Sequence, residues 1–316
     1  MPEKCCVMLG DDLASYHFGE EHPFGPKRYR AFKEEFELRQ LNKKVKLSKP
    51  QHASEQHLTL FHTQDYINKV KKLSDKGEGY LDYGDTPARK GIYEAALTVV
   101  GATLKAVDLI MQGKCSHAFT PIGGIHHARR NSAAGFCVFN DCGIVIEYLR
   151  KHYNIQRIAY IDIDAHHGDG VFYEFESDAD LCFVDFHQDG ATLYPGTGFI
   201  NETGKGDAIG TKLNIPLPPN STDKTAFALW NTAEDFIDKF KPEFILLQCG
   251  ADSIANDPIT QLKLTSKFHA YVALRLASLA EKYCSKRLLA MGGGGYNLDN
   301  IKITWNDVIN TLINTE

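Results

Sequence analysis

The segment Asp162-Ile163-Asp164-Ala165-His166-His167-Gly168-Asp169-Gly170 follows the apolar run 158–161 and decides how the rest of the chain is interpreted. An unpaired charge buried at the end of a core strand costs far more free energy than packing returns, so these acidic and imidazole groups predict a partner that satisfies them. Alternation along an extended chain places Asp162, Asp164 and His166 on one face, where a carboxylate and an imidazole can share a metal ion. The alternative is a solvated polar loop, which this density of Asp and His disfavours.

Composition excludes several classes of protein. The chain has 316 residues, 43% of them hydrophobic, and a formal net charge of -5, which argues against an electrostatic grip on nucleic acid. Acidic residues interrupt the N-terminal apolar run too soon for a signal peptide, and no apolar run approaches the ~20 residues that span a bilayer. The eight cysteines form no C-x-x-C pair, so we interpret them as reduced core thiols. We therefore expect a cytoplasmic protein that binds neither nucleic acid nor membrane.

From residue 115 onward, short apolar strands alternate with amphipathic helices, which is the pattern of a mostly parallel sheet covered on both faces. The predicted strands are Cys5–Leu9, at or next to an edge, His117–Thr120, Arg157–Ile163, Leu181–Phe186, Lys212–Ile215, Phe244–Cys249 and Arg287–Met291. The predicted helices are Lys27–Leu38, Gln64–Leu73, Ala88–Met111, Asn140–His152, Thr222–Phe240, Thr265–Cys284 and Leu298–Ile313. No linker or repeat divides this series, so the sequence predicts one α/β domain over residues 1–316.

Polar motifs follow five of the predicted strands. They are Gly123-Gly124-Ile125-His126-His127, the segment 162–170, His187-Gln188-Asp189-Gly190, Gly250-Ala251-Asp252 and Gly292-Gly293-Gly294-Gly295-Tyr296. Ligand sites of open α/β sheets lie beyond the carboxyl ends of the strands, so these motifs are expected to converge on one rim.

Two carboxylates and one imidazole on this rim, from Asp164, His166 and Asp252, form a candidate metal-ligand set. Such a set leaves coordination positions open for water and a substrate oxygen, as in catalytic sites, whereas a structural zinc site more often uses four Cys or His ligands. Carboxylate and imidazole ligands accept either zinc or ferrous iron.

The adjacent His126 and His127 supply the base and acid that amide hydrolysis requires. Asp162 and Asp169 remain available to orient one histidine each through its Nδ1. The alternative is a pair of exposed loop histidines. Tyr296 follows four glycines, and we expect a mobile glycine loop that brings its phenol to a developing oxyanion. A phosphate-binding loop is disfavoured because no Lys-Ser/Thr pair follows.

In order along the chain, six motifs resemble those of the histone deacetylase superfamily, and within it the compact microbial members, including acetoin utilization proteins. They are Pro121-Ile122-Gly123-Gly124-Ile125-His126-His127-Ala128, Ser132-Ala133-Ala134-Gly135-Phe136-Cys137-Val138-Phe139-Asn140-Asp141, the segment 162–170, Tyr194-Pro195-Gly196-Thr197-Gly198, Cys249-Gly250-Ala251-Asp252 and 292–297, with Leu81-Asp82-Tyr83-Gly84-Asp85-Thr86-Pro87 as a further match. The resemblance implies the arginase/deacetylase fold, an eight-stranded parallel sheet with helices on both sides, and zinc-dependent hydrolysis of an N-acyl group.

The resemblance also implies a role for each matching residue. His127 corresponds to the general base, His126 to its electrostatic partner, and Tyr296 to the oxyanion donor. Gly135, Phe136 and Tyr194 correspond to the walls of the substrate tunnel. Arg28 corresponds to the acetate exit. A potassium site corresponds to Asp162, Asp164, His166, Asp185 and Phe186. Many members have Phe at the position of Tyr194 and a small hydroxyl at that of Asp185, so the tunnel and the potassium site differ here from the family pattern.

The substrate predicted from the resemblance is acylated lysine in a protein or peptide. Asp85 matches the acid that binds peptide backbone amides, and Ile259 stands where polyamine-selective members carry an acid for a second ammonium. An acetylpolyamine deacetylase is the alternative. A two-manganese ureohydrolase of the same fold would need more bridging aspartates, and a catalytically silent acyl-lysine binder would lack a metal ligand, a dyad histidine or the tyrosine.

Overall fold

A computed structural model describes residues 3–315, and its named strands all belong to one sheet. The strands are β1 (Glu3–Met8), β2 (Lys46–Ser48), β3 (Cys115–Thr120), β4 (Ile158–Asp162), β5 (Leu181–Gln188), β6 (Lys212–Leu217), β7 (Phe244–Gln248) and β8 (Leu288–Met291). They are hydrogen-bonded in the order β2-β1-β3-β8-β7-β4-β5-β6, and every pairing is parallel. The predicted α/β fold with a parallel sheet is therefore confirmed.

Helices cover the sheet. They are α1 (Lys27–Leu38), α2 (Glu55–Leu58), α3 (Gln64–Lys76), α4 (Ile92–Met111), α5 (Asp141–Tyr153), α6 (Asp169–Phe172), α7 (Asp223–Phe240), α8 (Ser266–Tyr283) and α9 (Leu298–Asn314). One layer consists of α1, α9, α8 and α7, each packed on the next, and α4 packs on α5 and on β1, β3 and β8.

The central strands carry no polar face because both of their faces are covered. Every residue of β4, β5, β7 and β8 is buried. Continuous apolar runs such as Phe244–Leu247 are what a parallel sheet between two helical layers requires.

The structure differs from the prediction mainly at the edges of elements. The edge strand β2 was not predicted, because three residues with an exposed Leu47 carry no apolar run. It makes β1 the second strand of the sheet. Helix α4 begins at Ile92, four residues later than predicted, after Gly91 in a left-handed conformation (φ 81°). The short helices α2 and α6 were also missed, since four residues hold too little periodicity to detect.

None of the helices within residues 3–315 is long and apolar enough to cross a bilayer.

Candidate active site

The five polar motifs meet at one edge of the sheet. Strands β3, β8, β7, β4 and β5 are consecutive neighbours in the hydrogen-bonded order, and a predicted motif follows or ends each of them. Because the strands are parallel, their carboxyl ends share one edge, and segments from residue 120 to residue 296 form one site there.

A buried cluster of three candidate metal ligands lies at the centre of this edge. Ligand atoms of Asp164, His166 and Asp252 all lie within 4.8 Å of one another. The Nδ1 atom of His166 is 3.0 Å from Asp164 Oδ1 and 3.2 Å from Asp252 Oδ2. No donor among residues 3–315 is aligned to hydrogen-bond with that buried Asp252 Oδ2. A cation bound in this closed pocket would satisfy that carboxylate oxygen.

The electrostatics of the cluster also fit a cation. Burial and the neighbouring Asp164 carboxylate raise the pKa of Asp252 to about 7. Two buried carboxylates this close repel each other, and a divalent ion between them offsets that repulsion. Two oxygens and one nitrogen suit zinc or ferrous iron, and three protein ligands leave coordination positions open. The residues present therefore fit one catalytic metal ion.

The glycine loop 292–295, expected from the sequence to be mobile, is hydrogen-bonded and closely packed against the candidate ligands. Gly294 donates its N–H to Asp164 Oδ2 (2.9 Å), and its carbonyl accepts from Ala251 N (2.9 Å). A Cβ on Gly294 would lie 2.0 Å from Asp252 Oδ2 and 2.7 Å from Asp164 Oδ2. The glycines are present because the backbone passes directly against the metal ligands, where a side chain does not fit.

His126 and His127 form a buried dyad, each bonded to a carboxylate. The Nδ1 of His126 donates to Asp162 Oδ2 (2.8 Å), and the Nδ1 of His127 donates to Asp169 Oδ1 (2.7 Å). We assign these tautomers from the carboxylate acceptors. The two Nε2 atoms are 3.1 Å apart, and the Nε2 of neutral His127 carries the free lone pair.

The protein environment shifts the pKa values of the two histidines in opposite directions. Burial lowers the pKa of His126, but the carboxylates of Asp162 and Asp164 outweigh it and raise that pKa to about 9. Burial and the charge of His126 lower the pKa of His127 to about 4. His127 is therefore the more readily neutral member of the dyad.

Several residues that hold this site were missed in the sequence. Gln248, the last residue of β7, donates from Nε2 to Asp164 Oδ2 (2.9 Å) and to Gly124 O (3.2 Å). The buried carboxylate of Asp141 accepts the backbone N–H groups of Gly124 and Ile125 (3.1 and 2.8 Å), so it fixes the loop that carries the dyad. A polar residue closing an apolar strand, as Gln248 does, was the available signal.

Tyr296 lies beside this cluster with its ring among aromatic groups. Its ring centroid is 6.5 Å from that of Phe24 and 5.8 Å from that of Phe136, and the guanidinium carbon of Arg28 is 5.4 Å from it. Burial and the charge of Asp252 raise the pKa of the Tyr296 phenol well above its ordinary value. The phenol therefore stays protonated and can donate.

The expected tunnel residues line the approach to the dyad. The ring of Tyr194 is 5.2 Å from that of His127, and Gly135 lies between the two. A Cβ on Gly135 would be 2.5 Å from His127 Cδ2 and 3.0 Å from Tyr194 Cε1, so the narrow passage requires glycine. Phe136 contributes the ring that faces Tyr296.

A cavity of about 570 Å³ opens outside this passage. Its lining includes Asp82, Tyr83, Asp85, Arg129 and Tyr194. Ile259 is not among the described residues that line this cavity. It is half-buried in the loop after Asp252.

Asp85 is held by a tight turn at the edge of this cavity. Asp82 Oδ1 accepts the backbone N–H groups of Gly84, Asp85 and Thr86 at 3.0 to 3.2 Å. Burial and the neighbouring Asp82 raise the pKa of Asp85 to about 6. The turn therefore presents Asp85 in one orientation at the mouth.

Arg28 and Asp185, predicted for the acetate exit and the potassium site, are both fully buried. Arg28 donates to the carbonyls of Gly293 (2.6 Å) and Gly295 (2.7 Å). Asp185 accepts from His187 Nδ1 (2.7 Å) and Gly168 N (2.8 Å), so both of its oxygens are engaged, and Phe186 stacks on Trp230 in the core.

Known proteins resemble this chain over nearly its whole length. The histone deacetylase domain model matches residues 22–312. The chain is 39% identical over 292 residues to the acetoin utilization protein AcuC of Bacillus subtilis (strain 168), covering 90% of this chain and 75% of that protein. It is 36% identical over 262 residues to a probable deacetylase of Archaeoglobus fulgidus, covering 82% of this chain and 71% of that protein. The crystal structure of the HDA15 HD domain superposes with a TM-score of 0.90 at 24% identity, covering 98% of this chain and 88% of that one, a likeness of fold.

Proposed function

Because this chain belongs to the histone deacetylase family, we propose that it is a single-metal hydrolase that removes acetyl groups from N-ε-acetyl-lysine in proteins or peptides. The observation that carries the proposal is the juxtaposition of three groups at one sheet edge. They are the ligand cluster of Asp164, His166 and Asp252, the histidine dyad, and a protonated Tyr296.

Asp164, His166 and Asp252 would hold the metal, zinc or ferrous iron. When bound, such an ion supplies Lewis acidity, which polarises the acyl oxygen and makes water a better nucleophile.

The protons are moved by the dyad. His127 takes a proton from the attacking water at Nε2, because its Nδ1 proton is committed to Asp169. The same Nε2 then returns the proton to the lysine nitrogen as the C–N bond breaks. The second water proton stays on the carboxyl product, so the products are acetic acid and the amine, which exchange that proton to give acetate and the lysine ammonium. His126, bonded through its Nδ1 to Asp162 (2.8 Å), is the electrostatic partner that stabilises the charge developing beside the dyad.

Tyr296 donates its phenol proton in a hydrogen bond to the developing oxyanion. Removing one such donor typically costs about 10²- to 10³-fold in kcat.

The mouth of the site supports this substrate class. The passage between Gly135, Phe136 and Tyr194 suits the methylene stem of lysine, and Asp85 is held where it can accept hydrogen bonds from peptide backbone amides. Ile259, which lies outside the lining of the mouth cavity, is uncharged and offers no partner for the second ammonium of a polyamine. The potassium site beside the catalytic motif and the acetate exit at Arg28 stay predictions of the family resemblance.

Two alternatives are disfavoured by specific observations. A two-metal ureohydrolase needs more bridging aspartates, and within residues 3–315 the one group of three or more candidate ligands is Asp164, His166 and Asp252. A silent acyl-lysine binder would lack part of the machinery, whereas this chain has the ligands, both histidines and Tyr296.

The test is turnover by purified enzyme of an acetyl-lysine peptide, N-acetylputrescine and N8-acetylspermidine, side by side. We expect the peptide to be preferred at least tenfold in kcat/KM, with Tyr296→Phe lowering kcat by about 10²-fold or more while metal content is unchanged. Tyr148→Phe is the matched control, since its hydroxyl bonds Asp108 (2.9 Å) away from the site. A preference for the polyamines would contradict the substrate class, and full activity of Tyr296→Phe would contradict the role of the phenol.

A further inference from the structure

We propose that Asp257 is a positioning residue for this reaction: its carboxylate holds the backbone of Tyr296 and thereby sets where the phenol hydroxyl lies. The inference rests on the proposed function, in which Tyr296 is the oxyanion donor. No sequence motif pointed to this role for Asp257.

The buried carboxylate of Asp257 joins two segments of the site. Its Oδ2 accepts the N–H of Tyr296 (2.8 Å) and that of Asn297 (3.3 Å), and its Oδ1 accepts the N–H of Ile259 (3.1 Å). Asp257 also lies in the loop that follows the metal ligand Asp252. One side chain therefore connects the metal loop to the oxyanion donor.

The peptide unit between Gly295 and Tyr296 is held at both of its ends by opposite charges. Arg28 Nε donates to Gly295 O (2.7 Å), and Asp257 Oδ2 accepts from Tyr296 N (2.8 Å). Hydrogen bonds to charged groups are roughly twice as strong as those between neutral groups. This pair fixes the plane of the peptide bond from which the tyrosine side chain leaves.

Hydrogen bonds hold the loop as far as Gly294, whose N–H and carbonyl are both engaged. Gly295, with φ of +119°, has no side chain that could pack, so the peptide unit before Tyr296 depends on Arg28 and Asp257. After Tyr296 the chain enters α9, where Asn297 caps the helix by accepting from Asp299 N (3.0 Å). The Asp257 carboxylate at this N-terminus also interacts favourably with the helix dipole.

A positioning role and a merely structural role make different predictions in a double-mutant cycle of Asp257→Ala and Tyr296→Phe. If Asp257 acts through the phenol, Asp257→Ala lowers kcat at least tenfold in the wild type, with KM and metal content unchanged. In the Tyr296→Phe background it then lowers kcat less than twofold, because no hydroxyl is left to misplace. An equal loss in both backgrounds would overturn the proposal.

Asn300→Ala is the matched control. Its side chain bridges the same loop and helix by donating to the carbonyls of Ile254 (3.3 Å) and Ala255 (3.1 Å), without contacting Tyr296 N. We expect kcat within twofold of wild type for this variant. A loss as large as that of Asp257→Ala would show that general loosening of the junction is the cause, and would overturn the proposal.

Amide hydrogen exchange supplies a readout that does not depend on turnover. The amides of Tyr296 and Asn297 should exchange at least tenfold faster in Asp257→Ala, and at the wild-type rate in Asn300→Ala. Unchanged exchange in Asp257→Ala would overturn the proposal even if activity fell. If the alanine variant does not fold, Asp257→Leu replaces it, since leucine fills the space of the carboxylate without offering an acceptor. Wild-type protein that cleaves none of the three acetylated substrates would contradict the proposed function, whereas the exchange rates would still decide whether Asp257 holds Tyr296.

Discussion

Gly294→Ala is expected to weaken metal binding by about 10²-fold or more, although residue 294 is not itself a ligand. The alanine Cβ would lie 2.0 Å from Asp252 Oδ2. Non-bonded heavy atoms approach to about 3.5 Å, so the oxygen has to withdraw by about 1.5 Å. Metal–ligand distances tolerate deviations of only ~0.2 Å, so the metal loses this ligand.

The backbone cannot move away to relieve the clash without breaking other bonds. Gly294 is tied to Asp164 Oδ2 through its N–H and to Ala251 N through its carbonyl, both at 2.9 Å. The free energy of unfolding of the metal-free protein should therefore also fall, by about 1–3 kcal/mol, the usual range for overpacking.

The assay is competition for the metal between the apoprotein and a chromophoric chelator, with urea unfolding of the apoprotein in parallel. The matched control is Gly25→Ala, where the nearest heavy atom to the new Cβ is His22 O at 3.2 Å, remote from the ligands. If Gly294→Ala bound metal within threefold of wild type, the glycine loop would be free to move or the three residues would not be the metal site, and the reasoning would be refuted.

Three further predictions concern the metal, the substrate and the pH dependence of stability. Elemental analysis should find one divalent transition ion per chain in wild type and almost none in Asp252→Ala, because two ligands hold such an ion poorly; two manganese ions per chain would contradict a mononuclear site. Asp85→Ala should raise KM for an acetyl-lysine peptide more than for free N-ε-acetyl-lysine, which has no flanking peptide bonds, and an equal effect on both would remove this role. Burial lowers the pKa of His62 to about 3, and its Nε2 accepts from Asn140 N (2.9 Å), so the folded protein binds this proton more weakly than the unfolded chain does. The contribution of His62 to the free energy of unfolding is fully present above about pH 6.5 and is lost as the pH falls toward 3. Between pH 7.5 and 5 the free energy of unfolding should therefore drop by about 2 kcal/mol less in His62→Gln than in wild type, measured by urea titration.

The sheet and the chemical groups of the site could both be predicted from the sequence, because each produces a local pattern of residues. Apolar runs mark the core strands, and the polar residues that end them mark the rim. The partners of the residues that orient those groups give no such signal, even where the residue itself, like Gln248, is a polar residue at a strand end. The carboxylate of Asp257 meets Tyr296 N across 39 residues, and Gln248 meets Asp164 across 84, so these pairs exist only once the strands are in register.

The meaning of the glycine loop was also invisible in the sequence. A run of four glycines is consistent with a flexible loop and with a backbone pressed against its neighbours. Only the 2.0 Å clearance between a Cβ at Gly294 and Asp252 Oδ2 distinguishes the second case.

The position of β8 has a consequence for how the chain reaches its folded state. The last strand in the sequence lies in the middle of the sheet, where Ala118 of β3 pairs with Leu289 on one side and Leu246 of β7 pairs with it on the other. Until β8 is inserted, β3 and β7 each expose an unpaired edge, and such edges invite aggregation. Contacts between residues so distant in sequence also form slowly. During synthesis the dyad and the strands that carry the candidate ligands leave the ribosome well before β8, which joins them. A nascent chain should therefore depend on chaperones until β8 pairs with β3 and β7. A chain shortened before residue 296 should stay inactive.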